Sequence, residues 1–486
     1  MKLRTKILPF FFFFLVLCGL KFPLISQERF RKSPPYPDPL PELKLPPVES
    51  AILSNGLALS VIYRDNLPVI TLRLIILTGE SASPEKFPGT ATFTANMLNR
   101  GTLRHSLSDI EEKIESIGGR FSTSTSPDYS MFTFTFSEEG LNEGLDILSK
   151  MILQPSFSEK EIANVRRSMF YELVRRASEP EYVAKRQLYH LLFRDHPYRK
   201  STYNEDVLKN IKKNNLLSFY DKYYRPNNAR LVLTGNLNLR TATRKVSRYL
   251  NTWQRKDKEF SFISSPDPND RLKIIFVDIP HEKDVTIYMG NIISPLSNDD
   301  FFPLVVLNQV LGGTPASRLF MNLRESKGYA YYAFSEIELF KACGVFFIKA
   351  KVRPEVIHTS VMETLREIEK IAQEEIPSFE IEQAKSYLIG NFPLKIETFD
   401  NLSLKVSQIQ AFQLGEEHWS KYYENIMLID SKKVHEIAQK YPILTTVVVI
   451  VGNKDILIDH LREFEEVEVY NNKGILQYSI KKEEFE

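Results

Sequence analysis

Cysteine is nearly absent: the chain has two among 486 residues, Cys18 and Cys343. Cys18 lies in the N-terminal apolar run, so a processed chain keeps one thiol and forms no internal disulfide. That excludes a small cross-linked scaffold and leaves a large hydrophobic core as the source of stability. Surplus charge is missing too, since 63 basic residues face 61 acidic ones. There is then no electrostatic reason to expect nucleic acid. Closely spaced histidines are also missing. The eight histidines include no two separated by three to five residues, so no helical pair is available to a metal.

What is present begins with Lys2, Arg4 and Lys6, then the apolar run Ile7 to Leu20, fourteen residues long. That is short for a membrane-spanning helix and right for a signal-peptide core. We read residues 1–26 as an export signal and place the chain in a bacterial periplasm or envelope. The rival reading is an uncleaved anchor, the only route by which a membrane would enter. Cys18 follows "LVL", but Leu17 is large where a lipoprotein box wants a small residue. Seven prolines between Arg31 and Pro47 forbid regular structure, so 27–47 reads as a tether.

Asn55-Gly56 signals a tight turn, followed by strands near 57–63 and 69–78. Ser108 and Glu111 have capping-box spacing ahead of the stripe Ile110, Ile114, Ile117. Ser158 and Glu161 repeat that spacing ahead of Ile162, Val165, Met169 and Leu173. Phe132, Phe134 and Phe136 alternate as one face of a strand. A polar linker, 254–270, divides the chain, and the same signals return beyond it. "NMLNRGT" at 96–102 is echoed by "NQVLGGT" at 308–314. "YYRPNNARLVLTGN" ends in Gly235-Asn236, and "KYPILTTVVVIVGN" ends in Gly452-Asn453. These echoes imply two diverged copies of one α/β unit, 48–253 and 271–470, with a charged tail at 471–486.

The order of signals resembles the M16 metallopeptidases (insulinase, pitrilysin, processing peptidase) over nearly the whole mature chain. The stretches that carry the resemblance are "GTATFTANMLNRGT", "LFRDHPY", "YYRPNNARLVLTGN" and "SRLFMNLRESKGYAYYAFS". It implies an α+β protein of two homologous LuxS/metallohydrolase-like halves. Each would be a mostly antiparallel sheet with helices on one face, and the two would surround a central cavity. The family's first motif, G-x-A-H-F-x-E-H-M, is matched at Gly89, Ala91, Phe93 and Met97. Its chemistry is not. Two imidazoles one helical turn apart hold zinc there, and a Glu between them activates water. Here those positions are Thr92, Asn96 and Ala95. The third ligand position falls on Glu172, either a vestige or an ordinary surface acid. No zinc is expected on this chain.

The second motif, S-R-L-x-x-x-L-R-E-x-x-G-x-A-Y, is intact from Ser317 to Tyr331. The resemblance assigns Arg324 and Tyr331 to the peptide substrate, as donors to its backbone and to the developing oxyanion. The bland alternative is that Arg324 pairs with a nearby acid and Tyr331 packs. "VLGGTPASRLF" lacks the long glycine-rich loop of processing-peptidase α subunits. In bacterial members of that family two short chains can pair around one chamber, one bringing the zinc motif and the other the Arg and Tyr. The leading expectation is therefore a non-catalytic subunit that forms a heterodimer with a zinc-bearing partner. A stand-alone peptide-binding or assembly protein is second, and a self-sufficient peptidase with an unusual metal site is last.

Overall fold

The computed structural model describes residues 46–482 apart from 202, 257–262, 294–298, 415–417, 419 and 442–445. The expected signal peptide and nearly all of the tether lie outside the described residues.

The first half forms β1 (Val48–Ile52), β2 (Ala58–Tyr63), β3 (Val69–Ile76), β4 (Arg120–Thr125), β5 (Ser130–Ser137) and β6 (Ala229–Gly235), in the order β1-β2-β6-β3-β5-β4. Leu72 and Leu74 of β3 and Phe132, Phe134 and Phe136 of β5 all point to one buried face. The half's own helices pack there, including Thr90–Met97, Leu141–Leu153 and Leu239–Leu250. The second half forms β7 (Lys273–Asp278), β8 (Val285–Ile293), β9 (Ala330–Leu339), β10 (Gly344–Val352), β11 (Val447–Gly452), β12 (Glu466–Tyr470) and β13 (Leu476–Lys481). Their order is β13-β12-β7-β11-β8-β10-β9. Five strands of each half share one plan: β2-β6-β3-β5-β4 corresponds to β7-β11-β8-β10-β9. Within each set one pair is parallel (β2 with β6, β7 with β11) and the rest are antiparallel. The echoed "TGN" and "VGN" close β6 and β11, the same strand of the plan.

The opposite face of each sheet is covered from the other half. Helix Pro180–Phe193 crosses to the second sheet, where Val183, Ala184, Leu188 and Leu192 join Tyr288, Val345, Phe347 and Val449 in one core. In return, helix Phe399–Phe412 lies on β3 and β6. Arg73 of β3, 5% exposed, receives it: Nε donates to Ser403 Oγ at 2.6 Å, and Nη2 to Asp400 Oδ1 at 2.6 Å. Nη1 donates to Thr133 Oγ1 at 2.7 Å. Burial pulls the Arg73 pKa down and Asp400 opposes it. A buried guanidinium of this kind persists only when its donors are satisfied. A second tie joins two hairpin tips. Tyr198, fully buried, donates to Asp128 Oδ1 at 2.8 Å and accepts from Ala342 N at 2.9 Å. Lys341 N donates to Asp128 Oδ2 at 2.7 Å.

Two local readings need correction. The helix Leu107–Ser116 is capped by Ser106 and Asp109, not by Ser108 and Glu111, because the chain turns two residues earlier. The stretch read as a charged tail supplies β13, which pairs antiparallel with β12. Alternation there is weak, since β13 is exposed on both faces except at Ile480.

Candidate functional site

The degenerate motif lies on helix Thr90–Met97, entered through Gly89 at φ 93, a left-handed conformation that suits glycine. The first amides of a helix lack internal partners. Here Glu80, only 3% exposed, supplies them. Its Oε1 accepts from Gly89 N and from Ser83 Oγ at 2.7 Å. Its Oε2 accepts from Thr92 N at 3.0 Å and Thr92 Oγ1 at 2.8 Å. Ser83 Oγ in turn accepts from Ala91 N at 3.0 Å. Burial pushes the Glu80 carboxyl up, while these hydrogen bonds and the helix N-terminus hold it down. The Thr92 hydroxyl is thus committed to Glu80. Ala95 is fully buried beside Phe93 and Met97 in the core, and Asn96 is half-buried.

Glu172 sits near the end of helix Glu159–Arg176 with its side chain 42% exposed. Arg175 Nη2 reaches Oε1 at 2.8 Å, and Arg176 Nε reaches it at 2.5 Å. The Arg175 hydrogen bond first, with Arg176 behind it, holds this carboxyl down to about 2. Arg176 also lies over the Tyr182 ring at 5.6 Å. The Tyr203 ring covers Gly89 so closely that a Cβ there would come within 3.0 Å of it. Burial and the nearby Glu80 push the Tyr203 hydroxyl up.

These residues do not fit a zinc ion. A catalytic zinc needs about three nitrogen, sulfur or carboxylate ligands and one open position. The motif offers one committed hydroxyl, one methyl, one amide and a carboxylate already paired with two guanidinium groups. Among the described residues no three His, Cys, Asp or Glu side chains cluster closely enough to hold a metal.

The second motif differs. Ser317 and Arg318 anchor it: Arg318 makes a two-pronged pair with Glu380 at 2.7 and 3.0 Å. Arg324 follows on the widened turn Met321–Ser326, its guanidinium 5.0 Å over the Phe320 ring. Its side chain is 49% exposed, and its nearest carboxylate, Glu325, is 3.8 Å away. Tyr331 stands on β9, which among the described residues pairs only with β10 and so is an edge strand, and is 51% exposed. The next residue, Tyr332, donates to Glu181 at 3.0 Å. Glu181 follows Glu179, which pairs with Arg175. The strand carrying Tyr331 is thereby tied to the segment that carries Glu172.

Sequence reasoning missed Glu80, Tyr203 and Glu181. The only available signal for Glu80 was its place at the end of "LTGE", directly after β3.

Fold and site together define a two-half α+β peptidase scaffold whose first-half metal ligands are replaced. The comparisons agree. The family model described as insulinase (peptidase family M16) matches residues 60–206, and that described as peptidase M16 inactive domain matches 210–388. The chain belongs to peptidase family M16, as a homologue of the inactive kind. Similar relatives include an uncharacterized zinc protease of Rickettsia bellii, 24% identical over 71% of this chain and 83% of that one. A non-peptidase homolog, YmxG, of Helicobacter pylori is 24% identical over 71% of this chain and 81% of its own. Among solved structures, a peptidase M16 inactive domain from Pseudomonas fluorescens superposes with a TM-score of 0.78 at 19% identity. It covers 84% of this chain and 98% of its own.

Proposed function

We propose that this chain is an exported, non-catalytic M16 subunit that lends Arg324 and Tyr331 to a zinc-bearing partner chain during peptide hydrolysis. One contrast carries the reading. Thr92 is committed to Glu80, Ala95 is buried, Glu172 is neutralised by two arginines and Asn96 is half-buried, whereas Arg324 and Tyr331 are about half exposed, with no strong internal partner. In the pair, the partner's zinc supplies Lewis-acid chemistry and activated water. This chain's part is to bind and orient. Arg324 offers a fork of donors to the peptide, and Tyr331 offers a hydroxyl to a carbonyl oxygen as it gains charge. The edge strand β9 offers unpaired backbone groups to an extended peptide.

The test is a pull-down of the tagged mature chain from its native cells, with mass spectrometry and a zinc-dependent peptidase assay. Recovery of an M16 chain with an intact His-x-x-Glu-His, active only as the pair, is the expected result. Recovery of the chain alone, inactive and metal-free, favours the second reading, a stand-alone peptide-binding or assembly protein. The relative named a non-peptidase homolog favours that alternative. Export rests on the N-terminal sequence. No helix among the described residues is long and apolar enough to cross a membrane.

A further inference from the structure

The second motif opens beside a small cavity that Arg324 and Tyr331 do not line. It lies between the end of helix Phe301–Leu311, the turn Thr314–Ser317 and one face of helix Ser378–Asn391, and its volume is about 60 Å³. Ser317 shapes the turn, its amide and hydroxyl both donating to Thr314 O, at 3.0 and 2.5 Å. Gln309 lines the cavity and is only 7% exposed. Among the described residues its carboxamide has no hydrogen-bond partner, and neither has the Thr314 hydroxyl, which lines the same space. A buried amide left unpaired in this way costs stability, so a protein core rarely keeps one without a use.

The duplication shows that the fold does not require an amide here. In the echoed stretches "NMLNRGT" and "NQVLGGT", Met97 stands where Gln309 does. Met97 is part of the first half's core, so an unbranched apolar side chain of similar length fills that place. The turn also makes room for the amide. A Cβ at Gly313 would come within 2.6 Å of Gln309 Oε1. Of the residues that line the cavity only Glu380 is charged, and Arg318 holds both of its oxygens, at 2.7 and 3.0 Å. An incoming group therefore meets no free charge. By the share of liquid volume that a water takes, the space holds about two waters, or one carboxamide in their place.

We propose that this cavity binds a side-chain carboxamide, from glutamine or asparagine, of a peptide held by this chain. Gln309 both donates and accepts, so it pairs with a second carboxamide through two hydrogen bonds, and the Thr314 hydroxyl adds a third. Tyr387, half-exposed on the neighbouring helix, lines the same cavity and offers a flat ring to the planar group. The inference rests on the peptide binding common to both readings of the function above, and it needs no zinc-bearing partner.

The test is NMR titration of the full mature chain, with isotope-labelled glutamine side chains, by N-acetylglutamine methylamide. The glutamate and methionine analogues serve as comparators. The Gln309 side-chain signal, identified by its loss in Gln309→Met, should shift saturably with the glutamine compound. Both analogues should bind about tenfold more weakly or worse, since one brings an unpaired charge and the other leaves the amide unmatched. Gln309→Met should abolish binding with Tm unchanged or raised, because it borrows the side chain that the first half already uses. Tyr387→Ala alters an exposed residue, so it keeps the fold and should weaken binding even if Gln309→Met misfolds. No saturable shift, equal shifts with all three compounds, or full binding in either folded variant overturns the proposal. Because the chain is titrated alone, loss of the subunit reading in the pull-down leaves this result standing, and the reverse also holds.

Discussion

The two halves have kept one strand plan but differ in what became of their motifs. In the first, three of the four motif positions are absorbed into the fold: Thr92 bonds the buried Glu80, Ala95 is core, and Glu172 is tied to two arginines, while Asn96 is half-buried. In the second, the pair that the resemblance assigns to the substrate faces outward, with Arg324 resting on Phe320 and Tyr331 on an edge strand. A catalytic site that decays does not leave a vacancy. Its polar and charged groups acquire internal partners, because unpartnered ones destabilise the fold. Retained exposure of a polar motif on such a scaffold is therefore the stronger sign of continuing use.

The sharpest way to break this comparison is to write the first motif back. Thr92→His, Ala95→Glu and Asn96→His together restore the His-x-x-Glu-His pattern on paper. Ala95 is 0% exposed, so a Glu there must enter a filled core as a charge or displace its neighbours. The expected loss is roughly 3–5 kcal/mol. Elemental analysis should find no stoichiometric zinc. A stable, zinc-loaded triple variant would show that the site is merely silent.

A smaller effect concerns the anchor. Glu80→Ala strands the helix amides and the Thr92 hydroxyl, at an expected loss of about 2–3 kcal/mol by denaturant titration. Glu80→Gln should cost less at neutral pH, since it removes a buried charge while keeping an acceptor. Equal losses in the two variants would count against the network drawn here.

The two acids also separate by pH. Glu80 has its folded pKa raised, so its contribution to stability is full below the unfolded value of 4.5 and falls as pH rises through the folded one. Glu172 is depressed to about 2, so its contribution is present above 4.5 and falls as pH drops toward 2. Carbon-detected NMR of the carboxyl groups should show them titrating on opposite sides of 4.5. Coincident titration would mean that the two environments are alike.

Legibility followed periodicity. The alternation of Phe132, Phe134 and Phe136 and the repeated strand ends at Gly235 and Gly452 placed the sheets and the duplication. The exchange of helices was not readable, because Val183, Leu188 and Leu192 form the same apolar stripe whichever sheet they meet. Nor were the long-range polar contacts. Glu80 to Thr92 and Tyr198 to Asp128 depend on where loops return, and no spacing rule encodes that. Cap placement failed by two residues for a related reason, since Ser106-Asp109 and Ser108-Glu111 carry the same local signal.

The smallest effect on stability should belong to the second motif, and that is what makes it decisive. Arg324→Ala and Tyr331→Phe remove exposed groups with no strong internal partner, so unfolding should change by no more than about 0.5 kcal/mol. If the chain completes a partner's site, the same changes should lower the pair's peptidase rate about a hundredfold or more, the usual scale for losing a donor to an oxyanion. Tyr332→Phe is the matched control. From the neighbouring strand position it removes the bond to Glu181 of the crossing helix and should disturb stability slightly while sparing the rate. A rate that follows Tyr332 rather than Tyr331 would mean that the strand's placement, not its outward donors, is what the second half has preserved.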